Sequence, residues 1–107
     1  MKQLQASELA QWLAQPGEPQ PQLLDVREPW EVAIAKIPGS LEIPMRAILA
    51  RYQELDRERP LVCICHHGAR SMQVAYFLER EGFAQVFNLA GGIHAWSCDV
   101  DPACPTY

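Results

Sequence analysis

Cys65 is the residue of this chain best placed to act as a nucleophile. It follows the apolar run Leu61-Val62-Cys63-Ile64 and opens Cys65-His66-His67-Gly68-Ala69-Arg70-Ser71, which leads into an amphipathic stretch from Met72 to Glu81. A strand, a short loop and a helix in that order wrap backbone N–H groups around one point. The helix dipole adds positive potential there. An anion is held at such a point, and a thiolate is an anion, so the arrangement favours the reactive form of Cys65. Gly68 permits a tight turn or a close backbone approach. Arg70 offers a fixed charge and a forked set of donors for an oxyanion, or pairs with a carboxylate. Ala69 contributes a backbone amide. Ser71 either caps the helix or touches the bound anion. His66 and His67 are expected at the rim, shaping access rather than transferring protons.

The elements that must position this loop alternate. Ser7 is expected to cap a short helix with Leu9, Trp12 and Leu13 on one face, ended by Pro16-Gly17. Leu23 to Val26 reads as a strand, and Pro29 opens a helix running to about Ala35. Leu41 to Ile43 is a brief strand stopped by Pro44. Ile48, Leu49, Tyr52 and Leu55 fall at helical spacing, which predicts a helix from Met45 to about Asp56. Leu61 to Ile64 is a strand covered on both faces. Val74, Ala75, Phe77 and Leu78 mark the buried side of the next helix, with Gly82 beyond its end. Val86 to Leu89 is the last strand, and Gly91-Gly92 leads into a helix through Trp96. The tail from Asp101 to Pro105 is expected to be extended and at the surface, and the three tryptophans to be packing residues. The pattern is α/β: a central parallel sheet with helices on both faces, binding its ligand beyond the carboxyl ends of the strands.

At 107 residues the chain makes one domain, residues 1–107, with a single core. Apolar residues are 49% and charged residues 21%, an ordinary globular balance. The net charge of −4 speaks against nucleic acid or an anionic membrane as the partner. No apolar run approaches a membrane span and the first residues carry no apolar signal region, so a cytoplasmic address is the expectation, and with no long exposed apolar stripe a monomer is expected. Four cysteines are then expected as reduced thiols. Cys63 reads as a core residue, although its place two residues before Cys65 puts both on one strand face. No Cys-x-x-Cys pair exists, and the adjacent His66 and His67 are expected to point in different directions. No metal site and no cofactor are therefore expected.

The loop resembles the active-site loop of rhodanese-type sulfurtransferases, Cys-x-x-Gly-x-Arg-Ser. Three further segments resemble the same family in the right order: Asp25-Val26-Arg27-Glu28, then Ile37-Pro38-Gly39-Ser40 with Ile43-Pro44, then Gly91-Gly92 with Trp96. The chain departs from the family pattern at Ala35, Lys36 and His66, which bears on the sulfur donor that fits the pocket mouth. The resemblance implies a small rhodanese-like fold with Cys65 as the catalytic residue. Residues His66 to Ser71 would form the substrate cradle, and Asp25 and Arg27 would brace the loop. It implies sulfurtransfer from thiosulfate or a persulfide to cyanide, a thiol or a protein cysteine, through a Cys65 persulfide. A persulfide carrier serving a partner is the alternative. A related phosphatase or arsenate reductase is a lesser one, because four residues between Cys65 and Arg70 are one fewer than such phosphatases have.

Overall fold

A computed structural model describes residues 1–107. Five parallel strands form one sheet in the order β1-β5-β4-β2-β3, namely Lys2–Leu4, Val86–Leu89, Leu61–Ile64, Gln22–Asp25 and Leu41–Glu42. The helices are α1 (Ala6–Leu13), α2 (Pro29–Ile34), α3 (Ile48–Arg51), α4 (Ala69–Arg80) and α5 (Gly92–Asp99). No helix is long and apolar enough to cross a membrane.

The core follows from the two-residue period of β4, which is wholly buried. Leu61 and Cys63 face one layer, where Ile48, Val74, Ala75 and Leu78 of α3 and α4 cover them. Val62 and Ile64 face the other, against Ala6 and Leu9 of α1 and Ile93 and Trp96 of α5. An all-apolar strand is therefore the mark of a sheet covered on both sides, and it sits at the centre.

Several sequence expectations are corrected. The short edge strand β1 carries no alternation that could announce it, because Lys2 and Gln3 are exposed. It is recruited by β5 through Lys2 to Leu4 against Phe87 to Leu89. Helix α1 starts at Ala6, not after Ser7: the Glu8 carboxylate reaches back to accept from the Gln5 amide at 2.8 Å. Met45 to Asp56 is not one helix. Two 3-10 turns, Met45–Ala47 and Tyr52–Glu54, flank the single turn of α3. Ile48 and Leu55 are the only buried residues there and Leu49 is exposed, so too little apolar surface is covered to keep three regular turns. Trp30 is exposed rather than packed in the core. The tail lies mostly at the surface, as expected, but it turns rather than running extended. Asp101 and Val100 both donate to the Trp96 carbonyl, Cys104 is buried, and Tyr107 returns to the site.

Candidate active site

Cys65 sits just past the C-terminal end of the central strand, and its side chain is buried with Cys63 in the layer under α4. Gly68 is the N-cap of α4 with φ +106°, and this left-handed turn swings its amide back onto the sulfur. The Gly68 N–H donates to Cys65 Sγ at 3.1 Å. The Ser71 hydroxyl lies 3.3 Å from Sγ and also reaches the Gly68 carbonyl and Oδ1 of Asn88. A hydroxyl has one proton, so Ser71 can donate to the sulfur only by turning from Asn88. Ser71 therefore both packs inside the first turn of α4 and touches the sulfur. Asn88, on β5, anchors the arrangement by donating to the Gly68 carbonyl at 3.1 Å.

The loop is closed from the other side by α5. The Ile93 amide donates to the Cys65 carbonyl at 2.9 Å and the His94 amide to the His66 carbonyl at 3.1 Å. Two carbonyls are thus turned outward from the sulfur, and the helix start that holds them approaches very closely. A Cβ on Gly92 would lie 2.4 Å from both of those carbonyl oxygens.

Arg70 is not directed at the sulfur. Its guanidinium forms a two-pronged pair with Glu31 of α2, at 2.7 and 2.8 Å. Glu31 is a buried carboxylate, and it also accepts from the Glu28 amide at 3.0 Å and from the Tyr107 phenol at 2.7 Å. The Arg70 bonds, aided by Glu28 and Tyr107 and opposed by burial, pull its pKa from 4.5 to about 2. Asp25 and Arg27 pair with each other, Nη2 to Oδ2 at 2.7 Å, and both are buried. Arg27 then donates to the Glu31 carbonyl in α2, to the Ala35 carbonyl just past its end and to Tyr107 at 3.0 Å. It reaches the loop only through Glu31 and Tyr107. Both arginine charges are answered by carboxylates, which leaves backbone N–H groups and the start of α4 as the positive end facing the sulfur.

This clamp gives a pH prediction. The Glu31 pKa is lower in the folded chain, so its stabilisation is complete above about pH 5 and is lost as pH falls toward 2. After discounting for solvent beside the partly exposed Arg70, the expected loss is on the order of 1–3 kcal/mol. Urea unfolding between pH 7 and pH 3 reads it directly. Glu31→Gln should be less stable at pH 7 and should lack that part of the pH slope. An unchanged slope would mean the clamp contributes nothing.

His66 and His67 do not diverge. Their rings stack at 3.9 Å, and His66 also stacks on Tyr107 at 3.9 Å. Burial, then the neighbouring His67, lowers the His66 pKa. His67 is exposed at the rim, and Ala69 opens α4 with its backbone in the first turn. Burial pushes the Cys63 thiol far up, so it stays a protonated packing residue. Cys98 is exposed and Cys104 buried, and all four thiols are free.

Sequence reasoning gave no role to Asn88, Glu31, His94 or Tyr107, and it met Gly92 only at the start of the last helix and in a family segment. Only the Glu28-x-x-Glu31 spacing, a capping box at the start of α2, could have drawn attention to one of them.

A buried cysteine at the end of a central parallel strand, its sulfur on the amide that starts the next helix, places the candidate site of this α/β domain at the carboxyl end of the sheet. The chain belongs to the rhodanese-like domain family, whose model matches residues 5–99. It is 43% identical over 75 residues to a sulfurtransferase of Allochromatium vinosum, covering 70% of each chain. It is 44% identical over 90 residues to the chloroplastic rhodanese-like/PpiC domain-containing protein 12 of Arabidopsis thaliana. That match takes in 80% of this chain but only 30% of the plant protein. The crystal structure of a rhodanese-like domain protein from Staphylococcus aureus superposes with a TM-score of 0.84 at 30% identity. The match covers 100% of this chain and 99% of that one.

Proposed function

We propose that this domain is a sulfurtransferase that carries sulfane sulfur on Cys65. The observation that carries the reading is the Cys65 sulfur held by the Gly68 amide and the Ser71 hydroxyl at the end of β4. Relatives named thiosulfate sulfurtransferase, such as that of Pseudomonas paraeruginosa at 33% identity over 75 residues, support thiosulfate as a donor.

In the first step the Cys65 thiolate attacks the outer sulfur of thiosulfate. A new S–S bond forms to Cys65, the S–S bond of thiosulfate breaks, and sulfite leaves with the electron pair. The product persulfide keeps its negative charge on the outer sulfur. Preorganised backbone amides at the start of α4 stabilise that charge as an oxyanion hole would, at no reorganisation cost. The Ser71 proton turns toward sulfur when sulfur is anionic and toward Asn88 when it is not. In the second step a thiolate or cyanide attacks the outer sulfur and the Cys65 thiolate departs. The persulfide is short-lived against any free thiol, and burial of Cys65 limits that exchange to acceptors that fit the mouth. His66 and His67 stand at that mouth.

Incubating the reduced protein with thiosulfate should add the mass of one sulfur atom, removed again by cyanide. If a low-molecular-weight persulfide loads the protein and thiosulfate does not, the donor is wrong and the carrier chemistry stands. If neither loads it, the reading fails.

A further inference from the structure

His94 lies outside the sulfur cradle, yet it is exposed on the first turn of α5 beside the two loop histidines. One ligand nitrogen from each of His66, His67 and His94 falls within 4.8 Å of the others. The rings of His67 and His94 are 5.1 Å apart. Nε2 of His66 is buried without a hydrogen-bond partner, a position that costs free energy until something supplies the missing contact. The sequence alone gives no hint of this set. It forms because the His94 amide is tied to the His66 carbonyl, which brings α5 against the loop.

We propose that His66, His67 and His94 form a binding site for a divalent transition-metal ion that imidazoles favour, such as Zn2+ or Ni2+. Nitrogen ligands of one tetrahedral ion with bonds of about 2.0–2.1 Å lie roughly 3.4 Å apart. His67 and His94 are exposed, so their rings can turn at the surface to close the gap once the His66–His67 stack yields, while His66 is held by its stacking on Tyr107. Three imidazoles leave a fourth position for water or an anion. The Cys98 thiol, 3.7 Å from Nε2 of His94, adds a soft donor at the edge of the set. An ion held there ties the loop that carries Cys65 to α5.

The test must separate the histidines from the nucleophile, since thiols also bind Zn2+. Equilibrium dialysis of the Cys65→Ser protein against micromolar Zn2+, with bound metal measured by elemental mass spectrometry, should give one ion per chain. Adding His94→Ala should weaken binding at least tenfold, and His94→Gln should do the same. Both variants should unfold like Cys65→Ser without metal, since the His94 side chain is exposed and lies outside both core clusters. Zn2+ should raise the melting temperature of Cys65→Ser and leave that of the double variants unmoved. No binding up to tenths of a millimolar overturns the proposal. So does equal binding with and without His94, or binding by the native chain that vanishes in Cys65→Ser.

Discussion

Replacing Cys65 by serine should lower kcat/KM for thiosulfate-to-cyanide transfer by roughly 10³-fold or more. Serine fills nearly the same space and keeps a hydrogen-bonding atom beside the Gly68 amide, so the fold should survive. The chemistry does not. An alcohol of ordinary acidity is not ionised at neutral pH, and an oxygen bonded to sulfur does not return as a thiolate leaving group. The second step is thus blocked even if the first were forced. A continuous assay of thiocyanate formation, beside far-UV circular dichroism, separates lost chemistry from lost structure. A variant that keeps a tenth of the native rate would place the nucleophile elsewhere. The remaining thiols offer little in its stead. Cys63 is buried and its thiol is pushed far up, Cys104 is buried in the opposite layer, and Cys98 is out on α5.

Gly92→Ala should be the most destabilising of the glycine-to-alanine changes in this chain. The new Cβ meets the Cys65 and His66 carbonyl oxygens at 2.4 Å, and both atoms belong to backbone. The residue also has φ +62°, a conformation that strains any L side chain. Strain and displacement together should cost about 3 kcal/mol or more. At roughly 4–8 °C per kcal/mol, the melting temperature falls by upwards of about 12 °C. Activity should fall too, because the contact that must yield is the one holding the loop's carbonyls away from the sulfur. Gly17→Ala is the matched control: nothing lies within 4 Å of its Cβ, and its stability should stay within about 0.5 kcal/mol of native. A melting temperature within a few degrees of native for Gly92→Ala would show that α5 can retreat from the loop without loss.

The site was legible in part, and the division has a physical basis. Cys65, Gly68 and Ser71 are close in the chain, and a strand-loop-helix unit places them near one another before the Asn88 and α5 contacts fix the loop. Arg70 was read as a donor to the bound anion or a partner to a carboxylate, and it proved to be the latter. The choice depended on where α2 falls, and α2 is some forty residues earlier in the chain. Tyr107 is as far away in the other direction, and nothing about an isolated terminal tyrosine shows that it will link Glu31, Arg27 and His66. The histidine set illustrates the same limit: neighbours in sequence were expected to part, and a helix packed from outside made them converge with a third.

The amino-acid sequence by itself determined the α/β alternation, the strand buried on both faces and the cysteine at its end. Those features rest on two-residue and helical periods and on local turns, which act over a few residues. The tertiary structure alone decided the strand order, the edge strand β1, the Glu31 clamp on Arg70, and the close approach of Gly92. Each of these joins segments far apart in the chain, and such contacts exist only once packing has fixed which faces meet.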